Sequence, residues 1–376
     1  MLVFVQPFGL NSQTGGPRIF RSLLQDANRP FLSVCTSPSK PPLTKVGKEI
    51  HLPTRAAFGR LESTRIGPYF YIIESLLARQ FERRLEALCL QYKTQGIHGL
   101  AHTLDFWYAY QVARKLGVPY YLSVHDDLGY ALQKRLEFKD GMARIAQVWA
   151  NAKARFVISE AMGKEYSHRY GTQPYVIVTD GLKEVPPKPL IRPSKSLRLY
   201  FMGAIHLSYQ DNFHALLQAL KQFRLANPDW DVSLTIRGNV PFSLNANTVP
   251  IKILPWASES EVAQDIHQAD VLYLPLPFGE DYTSFVKYSL STKMVTYLGS
   301  GLPILYHGPK IAAASQLLSQ NGAAIVAVSL DPGAICATLQ VTQEKVPQMV
   351  ESALQVSRSQ FLLPDVRDRF WKELAY

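Results

Sequence analysis

The chain has 376 residues, of which 47% are hydrophobic and 19% are charged, and its formal net charge is +10 at pH 7. This length exceeds the roughly 250 to 300 residues at which a single core stops growing, and the composition excludes a disordered or collagen-like chain. The three cysteines are scattered, which excludes a disulfide framework and paired Cys-x-x-Cys zinc ligands. We therefore expect a cytoplasmic globular protein with two domains.

The excess of positive charge lies in the first half of the sequence. Residues 1–196 contain 27 basic and 15 acidic residues, whereas 197–376 contain 13 basic and 15 acidic residues. The chain lacks the aromatic motifs and zinc knuckles of RNA-binding modules, so nucleic acid is not expected as a partner. No run approaches the ~20 apolar residues of a spanning helix. The basic half leaves open a peripheral position on the anionic inner face of the plasma membrane.

Short apolar runs alternate with helical patterns along the first half of the chain. LVFVQPF predicts a strand, NSQTGGPR a loop and RIFRSLLQ a helix. Later strands are predicted at FLSVCTS, GIHGLAH, PYYLSVHDD, RFVISE and YVIVTDGL, and later helices over 70–92, at DFWYAYQVARKLG and at AMGKEYSHRYG. Such alternation is typical of a parallel sheet with helices on both faces.

Four prolines between Lys183 and Ser196 interrupt this pattern and predict a linker. The alternation then resumes with strands at LRLYFMGAI, DVSLTIRG, IKILPW, DVLYLPL, LPILYHG and AAIVAV, and with helices at NFHALLQALKQF and over 260–268, 292–300 and 311–319. The fold class predicted is α/β with two Rossmann-like doubly wound domains. The first covers 1–185, a linker covers 186–196, the second covers 197–358, and a last helix over 359–376 crosses back to the first domain.

An anion-binding site is predicted where a helix begins in the second half. Ser289, Ser291 and Thr292 precede the helical run and can cap it, while Lys293 places a positive charge in its first turn. Helix N-termini present free amide groups and a favourable dipole to anions. Capping alone would also explain the hydroxyl residues, and this alternative stays open.

Ligands of doubly wound folds bind outside the carboxyl ends of the strands. His125 ends one predicted strand, Asp126 follows it, and His102 ends the neighbouring strand. An imidazole at this edge could bind a hydroxyl or shuttle a proton near neutral pH, so His125 is the candidate catalytic residue. His102 and Asp126 are candidates for sugar or acceptor contacts. Gly15 and Gly16 follow the first strand, where glycine permits close approach of a ligand or a positive φ angle, and Arg18 adds charge nearby. A helix cap and a tight turn are the alternatives for His125 and for the glycine pair.

The segment TKMVTYLGSGLPIL, 292–305, resembles the SK-x-x-E-Y-x-x-x-G-x-P-I/V signature in the donor domain of glycosyltransferases with the GT-B architecture, particularly the family 4 type. FVISEAMGKEYSHRYG resembles the family's helix before the linker, YVIVTDGL its IPNG strand, and ILPWASESEVAQDIHQADVLYLP its nucleotide-base loop, helix and next strand. The resemblance covers nearly the whole chain in the right order. It implies two domains that face each other across a cleft.

The resemblance also implies roles for individual residues. His125 would lie beside the sugar ring, Trp256 would contact the base, and the Gly15–Gly16 loop would reach towards the donor phosphates or the acceptor. The diphosphate would be bound by Gly203 at the end of the first donor-domain strand and by the segment Ser289, Leu290, Ser291, Thr292 and Lys293.

The chain departs from the family pattern at charged positions. Two glutamates that the family carries eight positions apart are replaced by Tyr288 and Thr296, which remain candidates for contacts with the sugar and with the base or ribose. The basic pair that follows the glycine of the first donor-domain strand is also absent. We predict that Arg237 and Lys293 supply the missing charge.

The function that the resemblance implies is transfer of a sugar from a nucleotide diphosphate donor to a hydroxyl of a lipid-linked oligosaccharide or exopolysaccharide intermediate. A UDP-sugar is the favoured donor, with UDP-glucose as the first candidate. Retention of configuration is implied. No cofactor and no metal are expected, because the histidines lack metal-binding spacing and the D-x-D at Asp229 lies in a turn at the amino edge of a strand. A catalytically silent nucleotide-sugar binding protein and a GT-B-like epimerase are the alternatives.

Overall fold

The computed structural model describes residues 1–12, 15–27, 29–44, 46–55, 71–132, 138–190, 195–244, 248–341 and 345–374. The chain divides into unit 1, Met1–Asp180 with Leu363–Tyr376, and unit 2, Gly181–Leu362. The chain enters unit 2 after residue 180 and leaves it after residue 362. These points lie within five residues of the predicted end of the first domain, at 185, and of the predicted start of the last helix, at 359. The amide of Leu182 donates to the carbonyl of Phe361 at 2.7 Å, and Leu182 pairs with Leu362 as a parallel bridge, so the two passages run side by side.

Unit 1 contains a seven-stranded sheet in the order β3-β2-β1-β4-β5-β6-β7, with every described pair parallel. Its strands are β1 (Leu2–Gln6), β2 (Phe31–Cys35), β3 (Lys48–His51), β4 (Gly96–Leu100), β5 (Tyr120–Val124), β6 (Ala154–Val157) and β7 (Val176–Ile177). Its helices before unit 2 are α1 (Gly15–Leu24), α2 (Tyr71–Gln91), α3 (Asp105–Leu116), α4 (Leu128–Leu132), α5 (Phe138–Asn151) and α6 (Glu160–Tyr170).

Unit 2 contains a six-stranded parallel sheet in the order β10-β9-β8-β11-β12-β13. Its strands are β8 (Ser196–Met202), β9 (Asp231–Arg237), β10 (Ile251–Leu254), β11 (Val271–Pro275), β12 (Ile304–His307) and β13 (Ile325–Ala327). Its helices are α7 (Gln210–Ala226), α8 (Glu259–Gln268), α9 (Thr283–Tyr288), α10 (Thr292–Leu298), α11 (Ala313–Gln320), α12 (Pro332–Val341) and α13 (Val346–Gln360).

Helices cover both faces of the sheet in unit 2. Alternate residues of each strand point to opposite faces, so Tyr200 joins one core cluster while Phe201 joins the other. The first cluster takes residues from α9, α10 and α13, and the second takes residues from α7 and α12. Burial on both faces explains why the central strands are apolar throughout. The predicted doubly wound α/β class is confirmed.

A last helix, α14 (Leu363–Glu373), completes unit 1 after the chain has passed through unit 2. Its Phe370 is fully buried, with its ring centroid 4.8 Å from that of Phe156 and 6.2 Å from that of Phe4. The indole of Trp371 donates to the carbonyl of Leu23 at 2.9 Å. Aromatic packing therefore fixes this helix against the sheet of unit 1.

Some elements differ from those that the sequence pattern predicts. β3 and the helices α4, α5, α12 and α13 occur where the pattern predicts no element, and the strand predicted at YVIVTDGL is reduced to the two residues of β7. The predicted helix over 70–92 is present as α2, and Gly117, at φ 65°, ends α3 as predicted. Within the described ranges, no helix combines the length and apolar character needed to cross a bilayer.

Candidate functional site

The carboxyl ends of β8, β9 and β10 form a tightly packed edge in unit 2. Gly203 follows β8 and Gly238 follows β9, with φ angles of 108° and 142° that disfavour any other residue. A Cβ atom on Gly238 would lie 2.4 Å from the carbonyl oxygen of Gly203. The amide of Gly203 donates to the carbonyl of Arg237 at 2.9 Å. Glycine is therefore required here because two backbones approach each other closely.

The side chain of Lys293 lies across Gly203 at this edge. A Cβ on Gly203 would lie 2.6 Å from Lys293 Cε and 3.4 Å from its Nζ, so any side chain at that position would displace the lysine. The ammonium lies 5.4 Å from the ring centroid of Phe201. Among the residues that the structure describes, no carboxylate pairs with Lys293, and burial lowers its pKa to about 8. A partly buried cation without a partner is suited to bind an anion.

The helix that carries Lys293 begins as the sequence predicts. Ser291 is the N-cap of α10, and its hydroxyl accepts from the amide of Lys293 at 3.2 Å. Ser291 and Thr292 are half-buried, and Ser289 is buried. The helix has only seven residues. Its capping hydroxyl is engaged by the backbone, so Lys293 is the group that favours an anion at this position.

Three further candidates of this segment lie mainly in the core. Leu290 packs against the core cluster beneath α9 and α10. Tyr288 is 4% exposed, and the hydroxyl of the half-buried Thr296 donates to the carbonyl of Thr292 at 3.3 Å. Tyr288 and Thr296 therefore offer little surface to a ligand in this structure.

Arg237 does not supply free positive charge, contrary to the sequence prediction. Its Nε forms an ion pair with Asp265, and its Nη1 donates to the carbonyl of Pro255 at 2.9 Å. The hydroxyl of Tyr200 donates to the same Asp265 carboxylate at 3.0 Å. These contacts neutralise and bury the guanidinium, which is 9% exposed as a residue. Asp265 lies on α8, 28 positions away, and carries no sequence signal that would have identified it.

Trp256 lies on the loop that joins β10 to α8. It is 53% exposed. On either side the loop is held by the carbonyl of Pro255 and by Ser258, the N-cap of α8 in a capping box with Glu261. An exposed indole on an anchored loop can stack on a planar ligand.

In unit 1, candidate residues gather at the carboxyl ends of β4 and β5. His102 Nδ1 and Asp126 Oδ2 are 3.8 Å apart, and His102 is exposed. His125 is half-buried, its ring centroid lies 5.4 Å from that of Phe20, and no described residue bonds its buried Nδ1. Burial first, and then the neighbouring His102, lowers the pKa of His125 to about 3. His125 is therefore neutral at pH 7 and is suited to hydrogen bonding rather than to taking up a proton.

A buried carboxylate anchors the loops at the same edge. Asp105, 3% exposed, accepts a hydrogen bond from each of three threonine hydroxyls: from Thr54 at 2.5 Å, from Thr103 at 2.5 Å and from Thr36. The three threonines follow β2, β3 and β4. Fully satisfied polar networks of this kind rigidify their surroundings. The sequence pattern did not indicate this network, because its members come from three separate loops.

The glycine pair near the first strand lies at the start of a helix. Gly15 and Gly16 begin α1 rather than precede it. A Cβ on Gly16 would lie 2.9 Å from the ring of Phe8, so packing accounts for that glycine without a ligand. Arg18 Nε lies 2.9 Å from Asp180 Oδ2, and Asp180 is 1% exposed. Arg18 is therefore paired within unit 1.

Carboxylates, cysteines and histidines do not cluster elsewhere as a metal centre would require. In the part of the chain that the structure describes, no three of these side chains come together in a group that could hold a metal ion. Asp229, in the turn before β9, is 79% exposed and lies 3.7 Å from Lys195. The thiol of Cys35 is buried, and burial raises its pKa.

No protein-family model and no curated protein matches the sequence, but solved structures match the fold over its full length. A sucrose-phosphate synthase from Thermosynechococcus elongatus aligns with 99% of this chain and 98% of its own, with a TM-score of 0.67 and 11% identity. A trehalose-6-phosphate structure from E. coli bound with UDP-2-fluoro glucose has a TM-score of 0.68, 10% identity and coverage of 99% and 98%. A UDP-forming α,α-trehalose-phosphate synthase from Burkholderia xenovorans in complex with glucose-6-phosphate has a TM-score of 0.66, 11% identity and 99% coverage of both chains.

At these identities the likeness establishes the fold. The chain has the GT-B architecture of glycosyltransferases, as the resemblance of its motifs implies. The similar structures are trehalose-phosphate and sucrose-phosphate synthases, so the finer likeness to the family 4 type is not carried by them.

Proposed function

We propose that the protein is a glycosyltransferase that transfers a sugar from a UDP-sugar to a hydroxyl of a phosphate-bearing saccharide. Lys293 carries this proposal, because a partly buried ammonium without a carboxylate partner lies across Gly203 at the carboxyl ends of the strands. This is the position at which doubly wound folds bind phosphate-containing ligands. The UDP-2-fluoro glucose of the E. coli structure supports uridine as the base.

In this proposal unit 2 binds the donor. Lys293 stabilises the negative charge that develops on the leaving diphosphate. The exposed ring of Trp256 stacks on the base. The family resemblance supports retention of configuration and transfer without a dedicated metal ion.

Unit 1 binds the acceptor in this proposal. From the sequence it contains 26 basic and 17 acidic residues, a net charge of +9, which favours an anionic substrate. The neutral ring of His125 hydrogen bonds a sugar hydroxyl. The phosphate belongs either to a free sugar phosphate, as in the B. xenovorans complex with glucose-6-phosphate, or to a lipid-linked oligosaccharide at a membrane surface.

The test is transfer from radiolabelled UDP-glucose with three acceptors: glucose-6-phosphate, unphosphorylated glucose and a polyprenyl-diphosphate saccharide in anionic vesicles. We expect labelled product with a phosphorylated acceptor, and none with the variant Lys293→Ala. Product with only the polyprenyl acceptor identifies the lipid-linked source. Transfer to unphosphorylated glucose at equal efficiency would contradict the acceptor class.

The same assay separates the alternatives. UDP-sugar binding without release of UDP, with or without acceptor, would show a catalytically silent binding protein. Interconversion of the nucleotide sugar in the absence of any acceptor would show an epimerase. Either result would overturn the proposed transfer.

A further inference from the structure

We propose that Arg237 is a positioning residue that, together with Asp265, fixes the loop carrying Trp256 as a stacking platform for the nucleotide base. This inference rests on the proposed function, because it assigns a role within the same donor site. It differs from the role that the sequence predicts for Arg237, which is direct neutralisation of the diphosphate.

The guanidinium of Arg237 joins two segments that are separate in the sequence. Its Nε pairs with Asp265 on α8, and its Nη1 donates to the carbonyl of Pro255 at 2.9 Å. The hydroxyl of Tyr200 on β8 completes the set by donating to Asp265 at 3.0 Å. The fork of an arginine can serve both acceptors at once, whereas the single ammonium of a lysine is less able to do so.

The backbone of the same residue reaches the phosphate side of the site. The carbonyl of Arg237 accepts from the amide of Gly203, across which Lys293 lies. The next amide, that of Gly238, donates to the carbonyl of Leu254 at 2.9 Å. The backbone of this strand end therefore joins the loops after β8 and β10 whatever side chain stands at position 237, whereas the guanidinium acts only on the loop after β10 and on α8.

Trp256 needs such support because its own side chain is only partly packed. The residue is 53% exposed, so its neighbours cover only about half of its surface. Fixing the preceding carbonyl limits the conformations of the loop before a ligand arrives. Preorganisation of this kind increases affinity by reducing the entropy that is lost on binding.

Stability alone gives a weak reason for a buried ion pair at this position. Burying two charges costs desolvation energy, and replacing such pairs with apolar residues is often neutral or stabilising. The pair of Arg237 and Asp265 also leaves no net charge for a phosphate. A role in placing the carbonyl of Pro255 accounts for both observations.

The experiment measures the affinities of UDP and of inorganic pyrophosphate by calorimetry, for wild type, Arg237→Lys, Trp256→Ala and the double variant. Arg237→Lys keeps a positive charge beside Asp265 but gives up the fork that also reaches Pro255. Stacking on an aromatic ring contributes about 1 to 3 kcal/mol per base, which corresponds to roughly 5- to 150-fold in affinity. We expect each single variant to weaken UDP binding by about tenfold or more and to leave pyrophosphate binding unchanged.

The double variant tests whether Arg237 acts through Trp256. We expect it to bind UDP no more weakly than Trp256→Ala alone, since residues that act as a unit are not additive. In turnover assays Arg237→Lys should raise KM and leave kcat nearly unchanged. The matched control is Arg198→Lys, which alters an ion pair with Asp270 at the amino edge of the same sheet and should change none of these values.

Three results would overturn the inference: weaker pyrophosphate binding in Arg237→Lys, a further loss of UDP affinity when Arg237→Lys is added to Trp256→Ala, or unchanged UDP affinity in Arg237→Lys. If Arg237→Lys does not fold, Asp265→Asn is measured in the same way, because it removes the charge that orients the guanidinium.

A wild-type protein that binds neither UDP nor pyrophosphate would contradict the proposed function itself. The positioning role is then decided by hydrogen exchange of the free protein. Faster exchange of the amides at 256–258 in Arg237→Lys than in Arg198→Lys supports it, and equal exchange overturns it.

Discussion

Lys293 combines a cost for folding with a benefit for binding. Burial disfavours its charged form, and no described carboxylate offsets that cost. Groups held in this way are common at functional sites, where stability is given up for activity. Lys293 therefore lowers the stability of the free protein and raises the stability of its complex with an anionic ligand.

The first prediction follows for the variant Lys293→Met. Methionine keeps much of the apolar stem against Gly203 but removes the half-buried charge, so we expect a melting temperature a few degrees above that of wild type. UDP affinity should fall at least tenfold, measured by calorimetry. The control Lys287→Met removes an exposed lysine of α9 in the same unit and should preserve UDP affinity. Unchanged UDP binding in Lys293→Met would contradict the site.

The second prediction concerns pH. With a pKa of about 8 for Lys293, the protonated fraction falls from about nine-tenths at pH 7 to about one-tenth at pH 9, so UDP affinity should fall about tenfold. A phosphate with a second pKa near 6 stays ionised throughout this interval. Titration of wild type and Lys293→Met at several pH values checks this, since the variant should show a flat profile.

The same lowered pKa has the opposite consequence for stability. Between pH 8 and the ordinary lysine pKa of 10.5, the unfolded chain binds the proton that the folded chain has lost. Stability contributed by Lys293 therefore rises with pH in that window. As the pH rises from 8, UDP affinity should therefore fall while the contribution of Lys293 to the melting temperature rises. A surface lysine would show neither effect in this pH range.

Sequence reasoning succeeded at single residues where the signal was local. The start of α10 at Ser291 and Thr292 could be read from capping residues, and Gly203 from its place after a strand. Arg237 could not be assigned correctly, because its partner Asp265 lies 28 positions away and only the fold brings them together. His125 was placed at the right edge, but its neutral state depends on burial, which the sequence does not give.

At the level of elements, α14 shows how a distant segment can complete a core. Phe370 is fully buried among Phe4, Phe156 and His98, with ring centroids 4.8 to 6.2 Å away. His98 is itself neutral in this environment, since burial lowers its pKa to about 3. An apolar helix face from the far end of the described chain thus covers the sheet of unit 1.

The third prediction tests this helix through Phe370→Ala. Truncating a buried phenylalanine leaves a cavity and costs about 3 to 5 kcal/mol, so we expect a loss of that size for the unfolding transition of unit 1. Denaturant unfolding measures it. Lys372→Ala, on the exposed side of α14, is the control and should change stability by less than about 0.5 kcal/mol. Equal effects of the two variants would show that α14 does not stabilise unit 1.

Elements could be predicted where their periodicity was strong. The apolar strands β1, β4, β5, β8 and β11 stand out because each is buried on both faces. β3 was missed because its residues, KEIH, are polar and half-exposed at the edge of the sheet. A short edge strand has little apolar pattern, since only part of its surface is covered.

For the whole molecule, the proposed function assigns the donor to unit 2 and the acceptor to unit 1. The fourth prediction is that saturating UDP slows hydrogen exchange within 181–362, at the loops after β8, β9 and β10 and at the start of α10. Exchange in the loops after β4 and β5 of unit 1 should stay unchanged with UDP alone. Hydrogen exchange measured by mass spectrometry with and without UDP checks this. Lys293→Ala is the control and should show no protection by UDP. Protection confined to unit 1 would reverse the proposed roles.

The α/β class could be predicted from the alternation of strands and helices, and the GT-B architecture from the resemblance of several motifs to a known family, even though the three solved structures named above share only 10 to 11% identity with this chain. Fold survives such divergence because apolar alternation and turn residues specify it, whereas individual polar residues do not. The loss of the two family glutamates, at Tyr288 and Thr296, is a change of this second kind. Recognition of the proposed acceptor depends on individual polar residues, so the transfer assay is required to identify that acceptor.

The parallel bridge between Leu182 and Leu362 joins the two ends of unit 2. Unit 2 is continuous in sequence and its two ends meet, whereas unit 1 needs α14, which is translated after all of unit 2. Domains fold as units while the chain is being made. We therefore expect that, during synthesis, the apolar surface around Phe4 stays uncovered until α14 has been translated.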